Sequence, residues 1–508
     1  MKRVPESRVR NANDRPIRPG GDHVLYWMTA SRRTRYSFGL QRALDRAREL
    51  DRPLVVLEAL RVGYRWASDR LHRFALEGMS DNAHAFARAG VLYHPYVEPS
   101  PDHGKGLLAA LAARAAVVVT DDSPTFFLPR MVTAAARQLD VLLELVDGSG
   151  LLPVHTPDRV FTTARSFRIY LQRNLAPHLA ETPVADPLHR ASRAASLPRL
   201  RALPRAITER WPAASAALLT SDASDASDGS DARTLAALAA LPIDHTVSPV
   251  PTRGGQVAAE RALTRFLDGH LDRYIDDHND PDRGGTSHLS PYLHWGHLSP
   301  HEILAAIARR EGWTPDALGK ERSGAREGFW GMSAPAEAFL EQLVTWREIG
   351  FNMAALRRDH DRYDALPGWA LDTLHKHARD PRPRLYTRAE LTAAATYDPV
   401  WNASQRELLR EGRIHNYLRM LWGKKILEWS KTPEEALDVM LELNDRFAID
   451  GRDPNSISGI FWVLGRYDRA WGPERPIYGT IRYMTSESAL RKLRMKEYLK
   501  RYGTDARD

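Results

Sequence analysis

Three tryptophans and the polar residues around them are where chemistry concentrates in this chain. Trp422 and Trp429 stand seven residues apart in a stretch where Leu408, Leu409, Ile414, Leu418, Leu421, Ile426 and Leu427 recur near a 3.6 period, with no proline before Pro433. The middle of that stretch reads as one helix, which puts both indoles on one face with their backbones roughly 10 Å apart along the axis. Indole rings at such a separation can relay an electron, and Trp401, one element upstream, supplies a third station. For any one of them taken alone, core packing is the competing explanation. His415, Asn416 and Arg419 share the helix, and Asn444-Asp445 through Asp450-Gly-Arg-Asp-Pro-Asn455 reads as a loop crowded with hydrogen-bonding groups. A helix that only fills a core has no need of them.

A second concentration is YIDDHNDPDRGGTSHLSPYLHWGHLSPHE, Tyr274 to Glu302. A glycine-rich loop that opens a helix can hold a pyrophosphate, because first-turn N–H groups lack intrahelical partners, and Thr286, Ser287 and Ser290 add hydroxyls. From the residues alone, a helix N-cap followed by Ser-Pro turns explains the same letters. His294, His297 and His301 have a spacing that could line up metal ligands, but Gly296 and Ser299-Pro300 interrupt any such helix and no carboxylate-rich surroundings accompany them. No metal is expected. A third concentration, FLEQLVTWREIGFN from Phe339 to Asn352, reads as a helix on which Gln342 and Trp346, four apart, are neighbours.

The elements that must position these groups divide in two. After a polar start, expected to be a disordered tail over 1–20, HVLYWM (His23 to Met28), PLVVLEAL (Pro53 to Leu60), VLYHPYVE (Val91 to Glu98), AAVVVTDD (Ala115 to Asp122) and VLLELVD (Val141 to Asp147) read as buried strands between helical segments such as Tyr36 to Leu50. Alternation of this kind predicts an α/β domain over 21–150, Rossmann-like with a parallel sheet covered on both faces. Asp121-Asp122 closes a strand at the edge where open α/β sheets bind ligands, although no GxGxxG follows the first strand. Residues 151–250 read as a connector with some helix, as at Phe161 to Leu175, and with a low-complexity, solvated loop over 213–240 centred on SDASDASDGSDAR. From 251 to 508, beginning with the amphipathic GGQVAAERALTRFLDGHLDRY, helices dominate, which predicts an all-α second domain.

The 508 residues give ample length for a large core, and a net charge of +8 with a pI near 9.5 favours a polyanionic partner. The absence of cysteine excludes disulfides, iron–sulfur ligation and thiolate zinc sites. The polar N-terminus has no apolar signal region and no run of about 18 apolar residues appears, so a soluble cytoplasmic protein, most simply a monomer, is expected.

The words HNYLRMLWGKKILEW, NDRFAIDGRDPN, GIFW, YDRAWG and GTIRYM, long and in order, resemble the flavin-binding domain of the photolyase/cryptochrome family, and within it the class II cyclobutane pyrimidine dimer photolyases. The resemblance runs from about Thr252 to Gly503, and more weakly over the N-terminal segment. It implies a light-driven DNA repair lyase in which reduced FAD, excited by blue or near-UV light, lends an electron to a flipped-out pyrimidine dimer and takes it back once the cyclobutane ring opens. It also implies that the N-terminal domain can hold an antenna pigment, a deazaflavin or a folate. TASRRTRYSFGLQRAL matches the class II pattern only loosely, which leaves the antenna open.

In the family pattern Tyr274, Thr286, Ser287, Leu289 and Ser290 embrace the FAD phosphates. Asn444 matches the residue facing the flavin N5, where an amide can donate or accept as that nitrogen changes protonation. Asp450, Asp453 and Asn455 with Asn416 match positions near the ribityl or the ring's polar edge, and Arg347 and Arg419 can neutralise reduced-flavin charge. Trp422, Trp401 and Trp429 match the photoreduction route, with Trp422 innermost. Trp346 and Trp462 are expected to sandwich the lesion, aromatic faces taking up bases without sequence readout. Arg466, Arg469 and Arg482, with Arg475 and the Arg491, Lys492, Arg494 cluster, are expected to grip phosphates of damaged DNA.

One departure matters. Class II enzymes carry a glutamate where this chain has Gln342, and an amide can hydrogen-bond the pyrimidine carbonyls but cannot act as an acid. Neighbouring Glu341 points about 100° away around a helix. Glutamine at this place is familiar in (6-4) photolyases and animal cryptochromes, so a (6-4) lyase, with His288, His294 or His297 as its acid, and a photoreceptor are the alternatives. Against a photoreceptor stands the lack of a long tail after Gly503.

Overall fold

Short β-branched runs and helical segments alternate through the first part of the chain, and in the computed structural model, which describes residues 3–189, 197–219 and 228–504, they build one sheet. Its strands are β1 (Val9–Asn11), β2 (His23–Met28), β3 (Leu54–Leu60), β4 (Leu92–Val97), β5 (Ala115–Asp122) and β6 (Leu143–Asp147), in the order β1-β6-β5-β2-β3-β4. All pairings are parallel except β1 with β6, where Val9 lies opposite Val146. The expected α/β Rossmann-like domain is therefore present, with an antiparallel edge strand added.

Every residue of β2 is buried because the sheet is covered on both faces. Val24, Tyr26 and Met28 join Phe38, Leu40, Leu44 and Phe86 on one side, while Leu25 and Trp27 join Leu107, Leu111 and Ala135 on the other. At the carboxyl edge, Asp121 is a clamp. It accepts N–H groups of Thr29 (2.9 Å), Ala30 (2.8 Å) and Ser31 (3.0 Å) and the Tyr26 hydroxyl (2.9 Å). Asp122 takes both Arg10, through Nη2 at 2.9 Å, and His155 at 2.9 Å, which hold its carboxyl down to about 2 against the opposing effect of burial.

Two expectations fail here. The tail over 1–20 is ordered from residue 3: Glu6–Arg8 form a 3₁₀ turn, β1 follows, and buried Arg8 donates to the Gly150 and Leu151 carbonyls at 3.1 and 2.6 Å. Polar composition misled because a charged side chain with enough acceptors can be buried. The loop over 213–240 gives way at Asp228 to a helix, Asp228–Ala239, whose Ala- and Leu-rich second half favours that state; residues 220–227 lie outside the described residues.

The chain forms two compact units. The first is Met1–Thr156, Leu175–Leu263 and Leu289–Pro315; the second is Pro157–Asn174, Thr264–His288 and Asp316–Asp508. The second is helical among its described residues. The single helix expected through the tryptophan run is two, Pro399–Glu411 and Asn416–Trp429. Gly412 ends the first with a left-handed backbone (φ 69°), and its N–H closes on Leu408 at 3.0 Å. The apolar period ran on across the break because Ile414 in the connection is itself buried. Asn444 and Asp445, expected in a loop, lie in the last turn of the Pro433–Phe447 helix. No helix among the described residues is long and apolar enough to cross a membrane.

Candidate functional site

In the second unit Asp398 caps the Pro399–Glu411 helix, accepting the N–H groups of Val400 and Trp401, each at 3.0 Å, and so fixes where Trp401 projects. The Trp401 indole N–H donates to the Trp422 carbonyl (3.0 Å), and its ring meets the Trp429 ring edge-on, centroids 5.5 Å apart at 71°. The Trp422 indole donates to Gln405 Oε1 at 2.9 Å. All three rings are buried, with Trp401 linking the other two. Trp429 in turn meets Tyr386 (5.2 Å) and Tyr397 (5.5 Å), and Tyr397 is 53% exposed, so the ring contacts reach solvent. Sequence reasoning found the tryptophans but not Gln405, Tyr386 or Tyr397, whose contacts depend on how separate elements pack.

The Asn416–Trp429 helix also carries Arg419, whose Nη1 donates to Asn444 Oδ1 at 3.0 Å and to Ser456 Oγ at 3.4 Å. Asn444 Nδ2 donates to Asp445 Oδ1 and to Ser456 Oγ, both at 3.0 Å, so the amide is held in one orientation. Arg419 also lies 3.7 Å from Asp450 Oδ1. The structure thus brings Arg419, Asn444 and Asp450 together and adds Ser456, which the sequence reading did not name. Asp453 caps the Pro454–Val463 helix, accepting Asn455 N–H at 2.8 Å. Arg347 is buried with its guanidinium 4.3 Å over Phe351, and Asn416 is exposed at the start of its helix.

A flavin fits these residues. His415 is buried with neither ring nitrogen hydrogen-bonded among the described residues, and burial lowers its pKa to about 4, so it stays neutral. Trp462 Nε1 is likewise buried without a hydrogen bond among the described residues, and Asp450 Oδ1 has only its 3.7 Å ion pair with Arg419. Such orphaned donors and acceptors are what a polar heterocycle satisfies.

Along the glycine-rich loop, Thr286 and Ser287 are half-buried, and Thr286 Oγ1 lies 3.2 Å from His288 Nδ1. Arg413, from the break after Gly412, brings Nη1 to 3.1 Å from His288 Nε2 and so adds a cation to this loop. Tyr274 packs edge-on to Phe266 and Phe339 and stacks on His278 at 4.7 Å; burial raises its hydroxyl pKa. Buried Leu289 and exposed Ser290 are counted with the first unit. The helix that opens there, Ser290–His294, has only five residues, so free first-turn amides rather than a long dipole are what it offers.

Glu341–Trp346 is a π-helical turn between the Ala334–Leu340 and Arg347–Leu356 helices, a geometry that recurs at functional sites. It leaves Gln342 exposed and Trp346 half-buried. Glu341 is drawn inward to Arg168, whose Nε donates to it at 2.9 and 3.1 Å, so it does not replace the missing acid. Trp346 stacks on Trp462 with centroids 4.4 Å apart at 13°. This corrects the expected sandwich: no base fits between rings already in contact, and the pair forms one aromatic wall. Their helices approach closely because residue 350 is glycine; a Cβ there would stand 2.8 Å from the Pro454 carbonyl oxygen and 2.9 Å from Ser458 Oγ.

The basic rim is also revised. Arg469 is exposed and sits 4.5 Å over the Trp471 ring, with Arg482 at 5.3 Å from the same ring. Arg466 is buried, its guanidinium 3.7 Å over Phe461, and burial lowers its pKa to about 10, so it is not on the surface that DNA phosphates would meet. Trp471, quoted in the sequence only as part of YDRAWG, is the ring that gathers exposed Arg469 and half-buried Arg482.

No family model matches the chain. It is similar to proteins named deoxyribodipyrimidine photo-lyase: that of Methanothermobacter thermautotrophicus is 33% identical over 495 residues, covering 97% of both chains. That of Oryza sativa subsp. japonica is 32% identical, covering 97% of this chain and 90% of its own. Among solved structures, a class III photolyase from Agrobacterium tumefaciens superposes with a TM-score of 0.64 at 16% identity, covering 95% of this chain and 86% of its own. A cryptochrome from Synechocystis sp. PCC6803 gives 0.62 at 15%, covering 94% and 88%.

Proposed function

The chain belongs to the photolyase/cryptochrome family, and from that premise we propose that it is a light-driven DNA repair lyase acting on cyclobutane pyrimidine dimers. The observation that carries this reading is the stacked Trp346–Trp462 wall, with Gln342 exposed on the same π-helical turn as Trp346. An aromatic wall takes up extruded bases through stacking regardless of sequence, which suits a lesion-reading site.

Bound FAD supplies the light-driven electron chemistry. This chain's residues would do the rest. Asn444, locked by Arg419 and Ser456, would offer a fixed amide to the flavin ring; Arg419 would add positive charge there; and Thr286, Ser287, Arg413 and Tyr274 would serve the phosphates. Asp450 and Asp453 with Asn416 and Arg347 complete the cofactor set. Trp422, Trp401 and Trp429 would conduct reducing equivalents inward, since all three are buried and Trp401 meets Trp429 ring to ring and Trp422 through its backbone carbonyl. Arg469 and Arg482, with Trp471 between them, grip DNA backbone. Gln342 hydrogen-bonds the pyrimidine carbonyls.

Gln342 also favours a second reading, repair of the (6-4) photoproduct. That chemistry needs an acid, and His297 does not serve: it is buried against Phe74 at 5.1 Å, accepts the Gly255 N–H at 2.9 Å, and burial lowers its pKa to about 3. The test is an absorption spectrum of the purified protein followed by illumination with dimer-containing or (6-4)-containing oligonucleotides. Flavin bands and light-dependent dimer loss are expected. A colourless protein, or one that leaves dimers intact under light, overturns the proposal.

A further inference from the structure

Nothing in the π-helical turn itself explains why it persists, since a wide turn is less favourable than the α-helix on either side. The explanation lies in a segment far away in sequence. Arg168, on the Ala164–Asn174 helix, is buried and grips both carboxylate oxygens of buried Glu341, with Nε at 2.9 and 3.1 Å and Nη2 also on Oε1. The same carboxylate accepts the Thr345 hydroxyl at 2.7 Å, so one acid fastens both ends of the turn. The brace is broader than one pair. Arg168 Nη1 donates to the Gly324 carbonyl at 3.1 Å, Gln172 bonds Gly324 N–H and the Ala325 carbonyl, both at 2.8 Å, and Phe161 N–H donates to Asn352 Oδ1 at 3.0 Å beyond the turn.

We propose that Arg168 is a positioning residue for the lesion wall: by locking Glu341 inward it holds the π-helical register that sets where Gln342 stands relative to Trp346 and the wall it forms with Trp462. This rests on the preceding reading of the wall as a lesion site. A turn that relaxed to α-helical register would change the phase between residues before and after it by about 100°, the rotation of one residue. Gln342 would then swing from one side of Trp346 to the other and lose its present placement relative to the Trp346–Trp462 wall. A bidentate guanidinium–carboxylate pair suits the role because its planar fork fixes orientation as well as charge, which lysine does only in part.

The test compares flavin-loaded wild type with Arg168→Met, Arg168→Lys and the double variant Arg168→Met/Glu341→Met, which removes both charges and leaves no unpaired buried carboxylate. Four quantities are read: flavin content, light-driven flavin reduction without DNA, the Kd for a dimer-containing oligonucleotide, and repair per absorbed photon. Expected is a Kd at least fivefold weaker in Arg168→Met and in the double variant, with lower repair, while flavin content and DNA-free reduction stay within twofold. Arg168→Lys recovers part of the affinity. Unchanged affinity in a folded, flavin-loaded double variant overturns the proposal, as does loss of flavin in all three variants, which would make the pair a general prop. A wild type that holds flavin but neither binds nor repairs dimers instead defeats the lesion-site reading, and the proposal with it.

Discussion

Two groups of tryptophans occupy the second unit, and they are built on opposite principles. Trp401, Trp422 and Trp429 are enclosed, meet edge-on or through the backbone, and two of their indole N–H groups are committed to Trp422 O and Gln405. Trp346 and Trp462 are half-buried, lie flat on one another, and the Trp462 N–H has no hydrogen bond among the described residues. Enclosure fixes distances and excludes water, which suits a conduit; a half-buried, flat-stacked pair suits a surface that receives a ligand. Residue type alone does not separate the two roles. Packing does.

The sharpest way to break that comparison is Trp401→Phe. Trp401 alone touches both other members of the enclosed group, so its replacement should nearly abolish light-driven flavin reduction, while chemically reduced enzyme still repairs. Following the flavin absorbance under illumination with an external reductant decides it; wild-type rates would remove the conduit from the account. Next in size is Trp346→Ala. Stacking is worth about 1–3 kcal/mol per base, roughly 5- to 150-fold in Kd for a dimer-containing oligonucleotide, with photoreduction untouched. If both variants lost the same function, the two groups would not be distinct.

Much of this was legible in the letters. Strand positions in the α/β unit followed from β-branched runs, because a sheet buried on both faces leaves no polar alternation to confuse them. The tryptophans stand out by type and spacing, whereas Asn444 and the flavin role of Arg419 came from the family resemblance. What was not legible depends on packing. The break at Gly412 was hidden because buried Ile414 continued the apolar period. The π-helical turn has no signature of its own in FLEQLVTW, and it exists where Arg168, more than 170 residues earlier, reaches Glu341. Arg466 looked like a surface cation, although its neighbours bury it against Phe461. Ser456 and Gln405 are ordinary letters until folding sets them beside Asn444 and Trp422.

A smaller effect sharpens the open side of the comparison. Gln342→Glu restores a carboxyl on the π-helical turn, and a charge-assisted or proton-sharing hydrogen bond is about twice as strong as a neutral one, so repair per photon should rise, roughly severalfold at most. Glu341 cannot mask the result, being held by Arg168. Dimer repair measured at saturating substrate under limiting light reads the change, and no gain would count against the role given to Gln342.

The smallest effect tests the joint between the groups. Lys424 lies on the helix of Trp422 and Trp429, is fully buried, and donates through Nζ to the carbonyl of Val463, the residue after Trp462. Burial lowers its pKa from 10.5 to about 7. Below pH 7 folded and unfolded chains both hold the proton, and this residue adds no slope. Between about pH 7 and 10.5 the unfolded chain holds a proton that the folded chain has released, so stability rises with pH by on the order of 1 kcal/mol per unit. Lys424→Met removes that slope along with the pH-independent hydrogen bond. The Tm of the variant minus that of wild type should therefore fall as pH rises from 7 toward 10, since only wild type gains. A difference that stayed constant across that range would mean the amine keeps its charge in the folded protein, and the joint would then be an ion held by the carbonyl end of the Trp462 helix rather than a neutral donor.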